Sequence, residues 1–128
     1  MAARRILIVE DDADSREALR TLLEVWGHEV TEADGGEAAL EAVAARRPDV
    51  VLLDLAMPKV NGYDVARQIR ALPDGGSLYL VALTGYADDA ERSRDAGFDA
   101  HVLKPYDPDR LRELVDRASR ETARPESA

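Results

Sequence analysis

The sequence predicts an α/β fold, a doubly wound five-stranded parallel sheet with helices on both faces. Short apolar runs alternate five times with segments in which apolar residues recur at helical spacing. Two of the runs, "ILIV" and "VVLL", are continuous. Continuous apolar runs are typical of parallel strands that are covered on both faces, and strand–helix alternation is typical of parallel sheets.

The first part of the chain supplies two strands and two helices. The segment "RRILIVE" holds the apolar run Ile6 to Val9, which predicts the first strand. From Asp14 onward the spacing of apolar residues becomes helical, and Gly27 is expected to end this first helix. "HEVTEAD" predicts a short second strand, and an alanine-rich second helix should end near Pro48.

The middle of the chain continues the alternation. Asp49 to Leu53 predict the third strand, and "LYLVALT" predicts a fourth strand that ends at Thr84. Between them, Val65 and Ile69 mark the inward face of a third helix, and "PDGGS" is a turn signal. These elements add a second strand–helix–strand unit to the sheet.

The last third completes the pattern. Asp88 to Ala96 predict a fourth helix without large apolar residues, which Gly97 should end. "AHVL" predicts a fifth strand that ends at Lys104, next to a proline with which it could form a cis bond. Pro108 suits the first turn of a last helix. Right-handed crossovers then favour the flavodoxin-like strand order 2-1-3-4-5.

Length and composition restrict the function. The 128 residues fit one domain, which we assign to residues 4–118, followed by a polar tail at 119–128 that should be disordered. A net charge of −9 disfavours nucleic acid and anionic membranes as partners. There is no cysteine and no apolar run near the ~20 residues of a membrane span. We therefore expect a cytosolic protein.

Polar residues stand at the ends of four predicted strands. Glu10, Asp11 and an adjacent acid follow the first strand, Asp54 ends the third, Thr84 the fourth and Lys104 the fifth. Ligands of open parallel sheets bind beyond the carboxyl ends of the strands, near the point where the strand order reverses. These side chains should therefore meet at one edge of the sheet.

Carboxylates at this edge would repel one another. Two like charges 4 Å apart cost about 1 kcal/mol in water and about 4 kcal/mol at an effective dielectric constant of 20. A divalent cation would relieve the repulsion, and oxygen ligands without Cys or His favour Mg²⁺. With a lysine and a hydroxyl nearby, such a site could stabilise a phosphoryl group in transfer, with a carboxylate as the nucleophile.

The chain resembles the receiver (CheY-like) domain of response regulators in two-component signalling. The resemblance covers residues 4–118, and "ILIVEDD", "VVLLDLAMPKVNG", "VALTG" and "LKP" carry it. Each motif alone is weak, but the four in this order at strand ends are specific. The resemblance implies a Mg²⁺-dependent phosphorelay receiver rather than an enzyme that turns over a separate substrate.

The resemblance also implies a role for each site residue. Asp54 would accept the phosphoryl group from a phosphohistidine of a sensor histidine kinase or phosphotransfer protein. Asp11 and Asp54 would bind Mg²⁺ directly, with Glu10 acting through water and Ala56 through its backbone carbonyl. Lys104 would contact a phosphoryl oxygen. Thr84 would move to hydrogen-bond the phosphoryl group; the downstream protein target is not readable.

One position departs from the pattern, and simpler interpretations stay open. His101 lies where the family usually has the Tyr or Phe that swings inward, so either an imidazole switches or the position does not. The acidic run after the first strand could instead favour the N-terminus of the next helix. The chain could be a stand-alone regulator, the receiver of a hybrid kinase, or a docking scaffold that is never phosphorylated.

Overall fold

The computed structural model describes residues 4–57, 60–73, 75–85 and 90–123, in which five strands alternate with five helices. The strands are β1 (Arg5–Val9), β2 (Glu29–Ala33), β3 (Val50–Asp54), β4 (Tyr79–Thr84) and β5 (Ala100–Leu103). The helices are α1 (Ala13–Val25), α2 (Gly36–Ala45), α3 (Gly62–Ala71), α4 (Ala90–Ala96) and α5 (Pro108–Ala123).

The strands form one sheet in the order β2-β1-β3-β4-β5, and every neighbouring pair is parallel. The predicted fold class and strand order are therefore confirmed. The order reverses between β1 and β3, because β2 lies on one side of β1 and all later strands lie on the other. All five carboxyl ends thus lie along the same edge of the sheet.

Two hydrophobic layers cover the two faces of the sheet. Even-numbered residues of β1, such as Ile6 and Ile8, pack with buried residues of α1 and α5. Odd-numbered residues, such as Leu7 and Val9, pack with buried residues of α2 and α3. Because both sets are buried, β1 and β3 read as continuous apolar runs in the sequence.

Helix ends follow the local sequence signals. Asp12 caps α1, since its side chain accepts a hydrogen bond from the backbone N–H of Ser15 at 2.9 Å. Gly27 and Gly97 follow α1 and α4 with φ values of 96° and 108°, which confirms both as helix stops. No helix within the described residues is long and apolar enough to cross a membrane.

One helix start falls outside the described residues, and one helix extends beyond its predicted end. The described part of α4 begins at Ala90, and Asp88, the predicted start, lies outside the described residues. Helix α5 continues to Ala123, well into the predicted tail at 119–128. Extending a formed helix costs little, and the first helix-breaking residue after Pro108 is Pro125. Residues 124–128 lie outside the described part of the chain.

Trp26 lies at the end of α1 that is remote from the carboxyl edge of the sheet. It is the C-cap residue of α1, and the next strand, β2, begins beside Arg5 at the start of β1. The guanidinium of Arg112 on α5 lies 5.5 Å from the centroid of the Trp26 ring. This partly buried indole therefore contacts α5 near the amino ends of the strands.

Gly75, in the turn between α3 and β4, has no room for a side chain. A Cβ atom there would lie 1.9 Å from the carbonyl oxygen of Ile69, whereas one at Gly76 would meet nothing within 4 Å. We expect Gly75→Ala to lower the free energy of unfolding by about 2 kcal/mol, because a backbone oxygen cannot easily move aside. Gly76→Ala should change it by less than about 0.5 kcal/mol. Urea unfolding measures both, and equal effects would contradict the collision.

Candidate functional site

The parallel register brings the polar strand ends together. Val9 pairs with Leu53, so Glu10 and Asp54, one residue further along each strand, lie at the same level. Thr84 ends β4 at the neighbouring position, and its carbonyl accepts a hydrogen bond from the backbone N–H of Lys104 at 2.8 Å. Glu10, Asp54 and Thr84 are buried, and Lys104 is partly buried. The sequence-predicted residues thus converge at the carboxyl edge.

A lysine lies between two buried carboxylates. The Nζ atom of Lys104 is 3.1 Å from Oδ1 of Asp54 and 3.4 Å from Oε1 of Glu10. Oδ1 of Asp54 also accepts a hydrogen bond from the backbone N–H of Ala56 at 2.9 Å. The peptide bond between Lys104 and Pro105 is cis, the isomer that the sequence left open. The ammonium group therefore neutralises part of the charge of both acids.

Three carboxylates are close enough to share a cation. Glu10, Asp11 and Asp54 each offer an oxygen, and these atoms lie within 4.8 Å of one another. Asp11 is exposed, while the other two are buried, so the group opens to solvent on one side. A donor set made only of carboxylate oxygens suits a hard cation that keeps several waters. The residues therefore fit Mg²⁺.

The third acid of the run has a different role. Asp12 points its carboxylate at the first turn of α1, and its hydrogen bonds with Ser15 lower the pKa of Asp12. Its backbone N–H donates to Oε2 of Glu10 at 3.2 Å. The helix-terminus interpretation of the acidic run is thus right for Asp12, while Glu10 and Asp11 contribute to the carboxylate cluster.

Burial and repulsion shift the ionisation of this cluster. Burial, together with the hydrogen bond and charge interaction with Asp54, raises the pKa of Glu10 to about 7, although the backbone N–H of Asp12 and the charge of Lys104 act in the opposite direction. Burial alone would lower the pKa of Lys104, but Asp54 and Glu10 outweigh burial and raise it. Lys104 thus stays charged, and the cluster retains an affinity for further positive charge.

The remaining predicted residues are placed without a test of their roles. Ala56 is exposed two residues after Asp54, and the ligand role of its carbonyl stays a prediction. His101 is partly buried on β5 and lines a cavity of about 270 Å³ together with Ser93 and Phe98. This space lies beside α4, but movement of the imidazole ring also stays a prediction.

Sequence reasoning missed Arg16. Its Nη1 atom donates a hydrogen bond to the backbone carbonyl of Glu10 at 2.7 Å, and its Nε atom pairs with Glu32 at 2.8 Å. The available signal was weak: an arginine four residues after Asp12 lies one turn into α1, at the end that faces the acids. Only the fold reveals that its side chain reaches backward to the β1–α1 turn.

Removing the lysine should unbalance the cluster. We expect Lys104→Met to lower the free energy of unfolding by about 2 kcal/mol at pH 8 without metal, because two buried acids lose their cation. Lys104 is partly exposed, so the effect should be smaller than for a fully buried pair. The control is Arg67→Met, which removes an exposed ion pair with Asp64 and should cost less than about 1 kcal/mol. Equal losses in urea unfolding would refute the pairing.

Comparison with known proteins identifies the family. The profile described as "Response regulator receiver domain" matches residues 6–116. The receiver domain of a histidine kinase from Syntrophus aciditrophicus is 32% identical, with a TM-score of 0.87 over 98% of this chain and 97% of that one. A receiver domain from Methylobacillus flagellatus is 31% identical, with a TM-score of 0.83 over 91% and 99%. The chain belongs to the response regulator receiver domain family.

The curated relatives include a protein of similar length and a regulator about twice as long as this chain. An uncharacterized 14.6 kDa protein of Leptolyngbya boryana is 37% identical over 119 residues, which cover 91% of each chain. Response regulator MprA of Mycolicibacterium vanbaalenii is 38% identical, but the match covers 97% of this chain and 55% of MprA. The chain thus spans about half the length of this named regulator. Family membership assigns it to two-component signalling, in which receiver domains interact with histidine kinases or phosphotransfer proteins.

Proposed function

We propose that the receiver unit, residues 4–118, accepts a phosphoryl group on Asp54 from a phosphohistidine of a histidine kinase or phosphotransfer protein, in a Mg²⁺-dependent reaction. One observation carries the proposal: the buried carboxylate of Asp54 lies 3.1 Å from the ammonium of Lys104 and within a group of three acids that fits a divalent cation. Strongly coupled charges in a cleft are typical of reaction sites.

Asp54 is the nucleophile in this proposal. One of its carboxylate oxygens attacks phosphorus, the bond between phosphorus and the imidazole nitrogen of the donor breaks, and the released imidazole takes up a proton from solvent. The product is an acyl phosphate on Asp54. No separate base is needed, because a carboxylate oxygen attacks through its own lone pair and has no proton to lose.

The neighbouring side chains stabilise the transferred charge. When bound by Asp11 and Asp54, with help from Glu10 and the carbonyl of Ala56, Mg²⁺ would offset the negative charge that accumulates between nucleophile and phosphoryl oxygens. Lys104 pairs with Asp54 before the reaction and turns to a phosphoryl oxygen once that carboxylate has become a mixed anhydride. Thr84 supplies a hydroxyl at the adjacent strand end.

The output surface is expected around α4. The described part of this helix, Ala90–Ala96, has seven residues, and among those whose burial is described Ser93 and Ala96 are buried, so few apolar contacts hold this part. On its exposed side, the guanidinium of Arg92 lies 4.1 Å from the centroid of the Tyr63 ring on α3. An element with so little packing energy can change position when Thr84 and the adjacent loop follow the new charge.

A docking scaffold without phosphorylation gains no support from these contacts. Two buried acids beside one lysine lower the stability of the fold. A bound cation would relieve this cost, and a role in a reaction would explain why the acids are there. Simple docking needs a surface, and Asp54 is almost fully buried.

The test uses acetyl phosphate, a small acyl phosphate, so that no partner has to be known. With Mg²⁺, intact mass spectrometry should detect one added phosphoryl group, and peptide mapping should locate it on Asp54. With excess EDTA the uptake should disappear. A label on another residue, or uptake that EDTA leaves undiminished, would refute the proposal.

A further inference from the structure

We propose that Arg16 is a positioning residue for the metal site, because it holds the β1–α1 turn in the conformation that presents Glu10 and Asp11 to a shared cation. The inference rests on the proposed function, since the acids concerned are the Mg²⁺ ligands named there. Within the described residues, the guanidinium of Arg16 bonds to the backbone carbonyl of Glu10 and to the carboxylate of Glu32, so it acts on the cluster through the backbone of Glu10.

The side chain of Arg16 joins three segments. Its Nη1 atom donates to the carbonyl of Glu10 at 2.7 Å, and its Nε atom pairs with Oε1 of Glu32 on the edge strand β2 at 2.8 Å. The Arg16 backbone N–H donates to the carbonyl of Asp12 at 2.9 Å. Only 20% of the side chain is exposed. Arg16 therefore holds both ends of the β1–α1 turn: its guanidinium group bonds to Glu10, and its backbone N–H bonds to Asp12.

Glu10 is fixed from both sides by these bonds. Its backbone N–H donates to the carbonyl of Ala33 on β2 at 3.0 Å, while its own carbonyl accepts from Arg16. Glu32 is held in turn by Arg20, which also pairs with Glu24 at 3.0 Å. The peptide plane between Glu10 and Asp11 thus has little freedom to rotate. The orientation of that peptide plane sets the directions in which the side chains of Glu10 and Asp11 leave the backbone.

Two physical effects of Arg16 on a cation have opposite signs. Its positive charge repels Mg²⁺, so removing the charge would tighten binding if electrostatics dominated. Its hydrogen bond to Glu10 orients the ligands, and loss of such outer contacts typically weakens metal binding about 10- to 100-fold. The direction of the change in affinity therefore separates positioning from simple charge.

Arg20 offers a matched control on the same helix. Arg16→Met and Arg20→Met each remove one positive charge and one ion pair with Glu32, but only Arg16 contacts the Glu10 carbonyl. Isothermal titration of the full chain with Mg²⁺ should give a dissociation constant about 10-fold higher for Arg16→Met. Arg20→Met should change it less than about 2-fold. Arg16→Lys should recover part of the loss, because a single ammonium can reach one partner but not both.

A metal-free readout completes the test. In Arg16→Met, the backbone amide resonances of Asp11 and Asp12 should shift or broaden before any Mg²⁺ is added, and in Arg20→Met they should not. If Arg16→Met does not fold, Arg16→Lys replaces it: this variant keeps the positive charge, so weaker Mg²⁺ binding would come from lost positioning and not from lost charge.

The outcomes separate the two proposals. Unchanged or tighter Mg²⁺ binding by Arg16→Met, or by Arg16→Lys if it is used instead, refutes positioning, as do equal effects of the Arg16→Met and Arg20→Met substitutions. In both cases the proposed function survives, provided that the unmodified chain binds Mg²⁺. If the unmodified chain binds no Mg²⁺ at all, both proposals fail together.

Discussion

Asp54→Asn is expected to abolish phosphoryl uptake and, at the same time, to raise the metal-free stability. The amide is not a nucleophile, so no acyl phosphate can form. It can still accept hydrogen bonds from Ala56 and Lys104, and it removes the repulsion between Asp54 and Glu10. We expect the free energy of unfolding at pH 8 to rise by about 1 kcal/mol, since the lost repulsion exceeds the weakened lysine pair.

Asp49→Asn is the control for this prediction. Asp49 immediately precedes β3, the strand that ends at Asp54, and its Oδ2 atom accepts a hydrogen bond from the backbone N–H of Arg5 at 2.9 Å. An amide oxygen can accept the same bond, and phosphoryl uptake should be unchanged. Mass spectrometry after treatment with acetyl phosphate measures uptake, and urea unfolding measures stability. Residual uptake by Asp54→Asn, or a loss of stability, would contradict the role assigned to this acid.

The metal-free protein should lose stability as Glu10 ionises. Its pKa is about 7 in the folded chain against an ordinary value of 4.5, so the folded state holds the proton more tightly than the unfolded state. The contribution of Glu10 to stability is therefore fully present below pH 4.5 and is lost as the pH rises through 7. The loss should reach about 3 kcal/mol above that pH.

Mg²⁺ should reverse this loss, because it binds the ionised carboxylates of the folded state only. Urea unfolding from pH about 5 to about 8, with and without Mg²⁺, measures both effects. In Glu10→Gln, which cannot ionise, this part of the pH dependence should be absent. An equally steep decline in the variant would assign it to other groups, and equal stability with and without Mg²⁺ would argue against a cation site.

The sheet was predictable because its strands have recognisable local sequence patterns. Continuous apolar runs such as Ile6 to Val9 signal burial on both faces, and that signal together with the alternation of helices determines a parallel sheet. The site follows from the sheet: once strands are parallel, residues that end them must meet. Glu10, Asp54, Thr84 and Lys104 could therefore be grouped without any knowledge of side-chain directions.

Side-chain direction is what the sequence could not supply. Asp11 and Asp12 are identical neighbours, yet one joins the carboxylate cluster and the other caps α1. The difference depends on the backbone turn after β1. Arg16 contacts this turn through its hydrogen bond to the Glu10 carbonyl, and residue spacing in the sequence does not predict that bond. Similarly, α5 continues to Ala123, because neither Gly nor Pro interrupts it before residue 125.

The location of the single tryptophan affects how the molecule can be observed. Trp26 sits against Arg112 near the amino ends of the strands, about a strand length, or roughly 16 Å, from Asp54. The fluorescence of Trp26 should report unfolding of the α1–α5 contact. It should respond little to phosphorylation or metal binding at the carboxyl edge of the sheet. An optical assay of signalling in this chain would therefore need an extrinsic dye, for which the absence of native cysteines leaves any introduced thiol as the sole attachment point.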